Sequence, residues 1–283
     1  MKILLTGLML LISAGAGAVE LKATHEVAYA KYGERELLLD WFRPDDDKIY
    51  PGVIVVHGGG WLGGTRKAFE TMSREIAAAG YVVANLDYRL ATEAEFPGAV
   101  LDTKAAIRWM RANAETLALD REWIGAVGGS AGGHLVAMAA STGNNEAFSK
   151  EGNHSDQSDA LQATVIFGAG VDQVTRVKES KSGSIKNCVI FFGGEYSEVP
   201  EVYAQGSPIT HVSETTSPIL MIDGEFDSPG TRYGDYRKKL DEAGVRNEFL
   251  MIPGAKHGQW GRNDFRPKYV EAILAFFASV SGS

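Results

Sequence analysis

The sequence predicts an α/β fold: a single domain built on a mostly parallel, doubly wound sheet, with an antiparallel hairpin at its N-terminal end. Two patterns predict it. Short apolar runs rich in Val, Ile and Ala alternate with longer helical patterns along nearly the whole chain of 283 residues. Most of these runs are apolar without interruption, which is typical of strands that helices cover on both faces. Strands and helices in alternation form right-handed crossovers, which make neighbouring strands parallel.

The N-terminal segment, residues 1–18, is predicted to be a signal peptide outside the fold. Lys2 is followed by an apolar stretch to Ile12, and Ala16 and Ala18 supply the small side chains that a signal peptidase reads. The stretch is shorter than the roughly 20 helical residues that cross a bilayer, which disfavours the alternative of a membrane anchor. We expect residues 19–283 to form one domain of an exported protein, periplasmic or secreted.

Eight strands are predicted along the chain after this segment. The two hairpin strands, at residues 24–31 and 35–42, are joined at Gly33, and Pro44 closes the second. Six buried strands follow at residues 52–56, 81–84, 123–127, 163–167, 219–222 and 248–252. Helical patterns accompany them at residues 66–79, 100–114, 131–141, 232–243 and 267–279. Residues 143–158 and 171–217 fall outside the alternation and are predicted to be long loops, where we expect any lid.

The charge balance and the cysteine count exclude several kinds of partner. There are 28 Lys and Arg against 36 Asp and Glu, a net charge of −8, so the basic surface that a nucleic acid requires is not expected. Cys188 has no second cysteine with which to form a disulfide or a zinc site. We expect no metal, no cofactor, no nucleic-acid partner and no membrane span.

Residues 128–132 read Gly-Gly-Ser-Ala-Gly, between a predicted strand and a predicted helix. The pattern Gly-x-Ser-x-Gly in that context is typical of a nucleophilic serine on a sharp strand-to-helix turn. Such a turn needs small neighbours, and it points the hydroxyl of Ser130 at a helix N-terminus, whose N–H groups can bind developing negative charge. A plain helix cap at Ser130 is the alternative.

Residues 57–61 read His-Gly-Gly-Gly-Trp directly after a predicted strand. Consecutive glycines let a backbone approach a ligand closely and present unhindered N–H donors, as an oxyanion hole for acyl transfer requires. His57 precedes the serine, and we expect it to hold this glycine loop by hydrogen bonds. A phosphate-binding loop is disfavoured, because no Gly-Lys-Ser or Gly-Lys-Thr follows.

A nucleophilic serine needs a base, and the base needs an acid to orient it, since a free hydroxyl is a weak nucleophile. On this architecture the chain order is Ser, acid, His. His257 follows the last predicted strand across a short loop and is the candidate base. Asp227 lies just past the preceding strand, at the same sheet edge, and is the candidate acid. The alternatives are Asp223 and Glu225 as the acid, or a capping role for Asp227.

In this combination the chain resembles the α/β-hydrolase superfamily, and within it the esterases that carry His-Gly-Gly-Gly-Trp, similar to bacterial feruloyl and acetyl-xylan esterases. Asp-Tyr-Arg-Leu-Ala at residues 87–91 and Pro-Gly-Ala-Lys-His-Gly at residues 253–258 support the resemblance, which covers nearly all of residues 19–283. The site residues that it implies are the nucleophile Ser130, the acid Asp227, the base His257 and the oxyanion-hole N–H groups of Gly59, Gly60 and Ala131.

The family usually reads His-Gly before the acid loop, whereas this chain reads Asp223-Gly224.

Trp61 and Trp260 adjoin the glycine loop and the His257 loop. We expect the two tryptophans either to form a substrate-binding aromatic wall, for a sugar or aryl group, or to pack in the core.

The resemblance implies a serine carboxylesterase that hydrolyses short-chain acyl esters through a Ser-His-Asp triad and an acyl-enzyme. Acetyl or feruloyl groups on a polysaccharide are the expected substrates, and small-molecule esters fit the same chemistry. Two alternatives stay open: an amide hydrolase, such as an aryl formamidase or an exopeptidase, and a non-catalytic binding module on the same scaffold. An intact Ser, His and Asp set disfavours the binding module, since a pure binder needs none of the three.

Overall fold

Eight strands form one sheet in the part of the chain that the computed structural model describes, namely residues 19–148, 153–179, 185–227 and 232–282. The predicted signal peptide lies outside the described residues. The strands are β1 (Leu21–Tyr32), β2 (Arg35–Pro44), β3 (Tyr50–Val56), β4 (Val82–Leu86), β5 (Leu119–Gly129), β6 (Ala163–Phe167), β7 (Ile219–Gly224) and β8 (Asn247–Ile252).

The strand order across the sheet is β1-β2-β4-β3-β5-β6-β7-β8. The hairpin partner β2 runs antiparallel to both of its neighbours, β1 and β4. All the other pairs are parallel. The predicted fold class is therefore confirmed, and each predicted strand is found within a few residues of its expected bounds.

Nine α-helices accompany the strands in the described residues. They are α1 (Glu70–Ala78), α2 (Gly98–Ala112), α3 (Ala114–Leu117), α4 (Ala131–Ser141), α5 (Gln173–Glu179), α6 (Ile185–Phe192), α7 (Pro200–Gln205), α8 (Gly234–Glu242) and α9 (Arg266–Ser281). Within these described parts of the chain, no helix is long and apolar enough to cross a membrane.

The sheet has a hydrophobic core on each face, because successive strand residues point to opposite sides. In β3, Val53 and Val55 belong to the core that α1 and α9 cover, whereas Ile54 and Val56 belong to the core that α2 and α4 cover. Strands β4, β6 and β7 are buried along their whole length. Their uninterrupted apolar runs follow from this two-sided burial.

The prediction of one long loop at residues 171–217 is wrong for the described part of that stretch, which contains α5, α6 and α7. Helix α6 buries Cys188, Phe191 and Phe192, which share one face because residues three and four apart are neighbours on a helix. Residues 143–148 hold a single 3₁₀ turn at Glu146–Phe148, as expected of a mostly irregular stretch.

Candidate active site

All the predicted site residues follow strands at one edge of the sheet. The strands β3, β5, β6, β7 and β8 are parallel, so their carboxyl ends meet there. The glycine loop follows β3, Ser130 follows β5, Asp227 follows β7 and His257 follows β8. Ligand sites in open α/β sheets occur at this edge.

Ser130 occupies the single residue between β5 and α4, with φ 54° and ψ −117°. This backbone conformation is strained for a residue with a side chain, and such strain clusters at functional sites. The turn also forces close backbone contacts: a Cβ at Gly132 would lie 2.1 Å from the carbonyl oxygen of Val56, and one at Gly128 would lie 2.4 Å from that of Gly132. The glycines at 128 and 132 are therefore steric requirements of the turn.

The structure brings Ser130, His257 and Asp227 together in one hydrogen-bonded chain. Nδ1 of His257 lies 2.7 Å from Oδ2 of Asp227, and Nε2 of His257 lies 3.0 Å from Oγ of Ser130. An ionised carboxylate only accepts hydrogen bonds, so Nδ1 carries the proton and Nε2 is left to accept the hydroxyl proton of Ser130. The imidazole is half exposed, at 48%, whereas the Asp227 side chain is 8% exposed.

Asp227 stays ionised in its buried position because cationic and polar donors bind it. Burial alone would raise the pKa of this carboxyl, but the hydrogen bond from His257 and the charge of Arg232 outweigh that effect and lower the pKa below its usual value. Nη2 of Arg232 donates to Oδ1 of Asp227 across 2.6 Å. Each carboxylate oxygen of Asp227 thus has its own donor.

The glycine loop lies directly beside Ser130. A Cβ at Gly58 would be 3.2 Å from Cβ of Ser130. Gly59 and Gly60 have φ values of 124° and 60°, which residues with side chains rarely adopt. Their N–H groups, and that of Ala131, donate to no acceptor within the described ranges. Three such N–H groups thus lie in the two segments that flank Ser130, the glycine loop and the start of α4, and free N–H donors are what an oxyanion hole requires.

His57 fastens the glycine loop, as expected. Its Nδ1–H donates to the carbonyl of Gly58 across 2.7 Å, and its ring stacks on Tyr88 at 4.4 Å between centroids. The hydroxyl of Tyr88 in turn donates to the carbonyl of His57. These contacts turn the imidazole toward Tyr88 and the loop backbone.

Trp61 packs in the core, so the structure favours the packing role over the aromatic wall. Its side chain is only 2% exposed, and its ring stacks on Phe191 of α6 at 4.5 Å between centroids. The indole N–H donates to Nδ1 of His134, whose Nε2–H donates to the carbonyl of Gly206. Burial lowers the pKa of His134 to about 4, which keeps this imidazole neutral and confines it to packing.

Trp260 is also buried, at 8% exposure, but it remains next to the site. Its ring lies edge-on to the imidazole of His257, with centroids 5.1 Å apart, and close to Phe167 at 6.0 Å. It therefore supports His257 from the core side and offers little surface to a substrate.

Three residues at this edge were missed by the sequence analysis. Gly168 follows β6 with φ 53° and lies against Asp227 and His257. Arg232 binds Asp227, as described above. Asn187 of α6 lies over the glycine loop, since a Cβ at Gly60 would be 2.3 Å from its Nδ2. Only Gly168 had a local signal, because a glycine directly after a parallel strand marks a close backbone approach.

Alanine at position 168 is expected to lower kcat about 100-fold, since small displacements of catalytic groups have effects of that size. The new Cβ would lie 2.6 Å from Oδ2 of Asp227 and 3.0 Å from Nδ1 of His257. Steady-state kinetics on p-nitrophenyl acetate will measure it. The matched control is Gly244→Ala, where φ is 70° and no atom lies within 4 Å. Both variants bear the same backbone cost of about 1–2 kcal/mol, so equal activity in the two would refute the steric argument.

Comparisons with known proteins agree with this fold. The BD-FAE family model matches residues 39–229, more than half of the chain. Esterase LipC of Mycobacterium tuberculosis is 33% identical over 238 residues, which are 80% of this chain and 58% of LipC. The chain thus spans less than two thirds of that relative.

Two solved structures have the same fold. A truncated carbohydrate esterase from gut microbiota has a TM-score of 0.79 and 26% identity, covering 94% of this chain and 98% of its own. Esterase 2 of Thermogutta terrifontis with bound butyrate has a TM-score of 0.73 and 26% identity, covering 93% and 94%. The predicted resemblance is therefore confirmed: the chain belongs to the BD-FAE family and has the α/β-hydrolase fold of these esterases.

Proposed function

We propose that the protein is a serine carboxylesterase that hydrolyses short-chain acyl esters through a covalent acyl-enzyme. The observation that carries the proposal is the hydrogen-bonded chain from Ser130 through His257 to Asp227, with distances of 3.0 and 2.7 Å. Serine, imidazole and carboxylate in this geometry are the parts that nucleophilic acyl transfer needs.

In the first half-reaction, Nε2 of His257 takes the hydroxyl proton while Oγ of Ser130 bonds to the ester carbonyl carbon. The carbonyl oxygen becomes negative and accepts hydrogen bonds from the N–H groups of Gly59, Gly60 and Ala131. Asp227 stabilises the imidazolium that forms. When the tetrahedral intermediate collapses, the bond to the alcohol oxygen breaks, and the imidazolium protonates the departing alcohol.

In the second half-reaction, water replaces the alcohol. His257 removes a proton from the water, the hydroxide bonds to the acyl carbon, and the same three N–H groups bind the oxyanion. Collapse breaks the bond between the acyl carbon and Oγ of Ser130, and the serine oxygen regains its proton from the imidazolium. The carboxylic acid leaves, and the enzyme returns to its starting state.

Acetyl or feruloyl groups on a polysaccharide are the substrates that we favour. The related structures are described as a carbohydrate esterase and as an esterase with bound butyrate, and an ester-bearing polysaccharide is a substrate that an exported enzyme would meet. Export itself rests on the signal peptide predicted at residues 1–18. Small-molecule esters and amides are the competing substrate classes, and an assay on p-nitrophenyl esters, acetylated xylan and N-formylkynurenine separates them.

Polar groups next to the glycine loop favour short acyl chains. The amide of Asn187 lies against Gly60, and the guanidinium of Arg176 lies over the Trp61 ring, 5.4 Å from its centroid. Before the glycine loop the described chain forms only the strands β1 to β3, with no helical cap. A long acyl chain would therefore meet polar side chains and water rather than an enclosing apolar tunnel.

We expect kcat/KM on p-nitrophenyl esters to be highest for about two to four acyl carbons and to fall by octanoate. A dry tunnel would instead raise kcat/KM about 200-fold from butyrate to octanoate, since each buried CH₂ contributes about 0.8 kcal/mol. The assay series runs from acetate to octanoate, with methyl ferulate, acetylated xylan and N-formylkynurenine alongside. Increasing activity with chain length would identify a lipase, preference for N-formylkynurenine an amide hydrolase, and no turnover of any compound a binding module.

A further inference from the structure

Asp227 is held on the side that faces away from His257. Nη2 of Arg232 donates to Oδ1 of Asp227 across 2.6 Å and to the main-chain oxygen of the same residue across 3.0 Å. The histidine uses the other carboxylate oxygen, Oδ2. One guanidinium nitrogen thus ties the carboxylate to its own backbone, in the orientation that leaves Oδ2 for the imidazole.

A second carboxyl lies behind this guanidinium. Nε of Arg232 is 3.8 Å from Oδ2 of Asp223, whose side chain is completely buried at the end of β7. Tyr233 and the backbone of Gly168 lie close to Asp223 and favour its ionised form. Even so, neither of its oxygens has a partner at hydrogen-bonding geometry among the described residues. A buried carboxyl without such partners is costly unless a charge compensates it, and Arg232 supplies that charge.

We propose that Arg232 is a positioning residue of the triad, which aims Oδ2 of Asp227 at His257 and is itself anchored from behind by Asp223. The inference rests on the proposed function, because only an enzyme with this triad needs its acid aimed. The carboxylate torsion of aspartate is broad, and Asp227 lies in a loop, where its N–H donates to the carbonyl of Gly224. Without the guanidinium, neither oxygen would be reserved for the imidazole.

The charges around this pair set the expected effect of pH. The titratable groups that act on Asp223 are Arg232, Asp227 and Tyr233, and the charge of Asp223 in turn acts on Tyr269. Burial raises the pKa of Asp223 to about 7, against the lowering effect of Arg232. Near neutral pH Asp223 is therefore only partly ionised, and the positive charge of Arg232 acts mainly on Asp227. This charge weakens the negative field that Asp227 exerts on the imidazole.

The test is Arg232→Met, which keeps most of the side-chain volume and removes the charge. We expect kcat to fall by about 10- to 100-fold with little change in KM, since a misaligned triad damages the chemical steps. In the pH profile of kcat/KM, the decline on the acid side (the acid limb) should also move to higher pH, by up to about one unit. Loss of a nearby positive charge favours the protonated imidazolium over the neutral base, so the protein should lose its base at a higher pH than the wild type does.

Three further variants separate positioning from mere stability. Arg232→Lys keeps the charge without the planar guanidinium, so we expect the wild-type acid limb and a kcat between those of wild type and Arg232→Met. Arg246→Met is the matched control: its guanidinium pairs with the half-exposed Glu248, and we expect wild-type kinetics. If Arg232→Met does not fold, Arg232→Met combined with Asp223→Asn removes the buried carboxylate as well and should show the same two effects.

The outcomes distinguish this inference from the proposed function. If Arg232→Met, or the double variant in its place, keeps the wild-type kcat and acid limb while Ser130→Ala is inactive, Arg232 has no positioning role and the esterase remains. If kcat falls but the acid limb stays fixed and lysine restores nothing, the residue is only structural. If the wild-type protein cleaves no ester, the proposed function fails. NMR spectra of the His257 imidazole, compared between the wild type and Arg232→Met across pH, then test the effect of the Arg232 charge without any substrate.

Discussion

Replacing Ser130 with alanine is expected to lower kcat by a factor of about 10³ or more, as loss of the nucleophile does in Ser-His-Asp enzymes. Within the described residues, Oγ of Ser130 makes its hydrogen bond to His257, and it lies at the site surface rather than in the core. The substitution therefore removes one reactive oxygen and little packing, and the fold should persist. Steady-state kinetics on p-nitrophenyl acetate will measure the loss, and mass spectrometry of the quenched reaction should detect an acyl adduct on the wild type alone.

The matched control for this prediction is Ser73→Ala. Ser73 lies in α1, completely buried, and its hydroxyl has no partner in the described part of the chain. Removing it deletes the same atom from a residue that has no hydrogen bond to Ser130, His257 or Asp227, so we expect unchanged kinetics. A Ser130→Ala protein that keeps more than about a tenth of the wild-type activity would place the nucleophile elsewhere, since background from the oxyanion hole and binding alone is far lower.

The parts of the site that the sequence predicted are those with a local signal. The strained turn at Ser130 requires glycines at fixed positions, and these glycines can be identified directly in the sequence. His257 follows the last strand across a short loop, and parallel strands carry such loops to one edge. The orientation of Trp61 had no such signal. Its φ of 64° directs the ring into the core against Phe191, which belongs to a helix that the sequence analysis took for a loop.

Arg232 shows why a supporting residue is harder to predict than a reacting one. It lies five positions after Asp227, just before α8, where a charged residue is ordinarily exposed to solvent. Nothing in the neighbouring sequence indicates that the side chain of Arg232 is buried. Its contact with Asp227 is a side-chain contact of the folded protein, which spacing in the sequence does not predict. The helix α6 was missed for a related reason, because the Ser, Lys and Gly residues before it outweighed its amphipathic spacing.

Asparagine at position 227 is expected to lower kcat by up to about 10⁴ while preserving the fold. The contacts of Asp227 predict how the amide will lie. Arg232 donates to Oδ1 and can only donate, so the amide oxygen must occupy that side. The NH₂ group then faces Nδ1 of His257 and forces it to accept. The ring proton moves to Nε2, which can no longer take the proton of Ser130.

Asp223→Asn is the matched control for Asp227→Asn, with equal change of volume and of formal charge. Burial raises the pKa of Asp223 to about 7, so a neutral amide resembles the protonated form that is already populated near neutrality. Its oxygens have no hydrogen bond to lose within the described residues, although Arg232 loses an anchor. We expect kcat to fall by less than about tenfold, because the substitution changes the 3.8 Å contact between Arg232 and position 223 and leaves the tautomer of His257 unchanged.

The comparison of the two variants tests the acid assignment at the place where the chain departs from the usual His-Gly. If Asp227 orients His257, Asp227→Asn should be slower than Asp223→Asn by a factor of about 10³. Circular dichroism and thermal unfolding will verify that both are folded. If Asp223→Asn instead has the lower kcat of the two, Asp223 would be the acid. Arg232 would then have to bind Asp223 rather than Asp227. The nucleophile and the base would stand, because neither assignment uses the identity of the carboxylate.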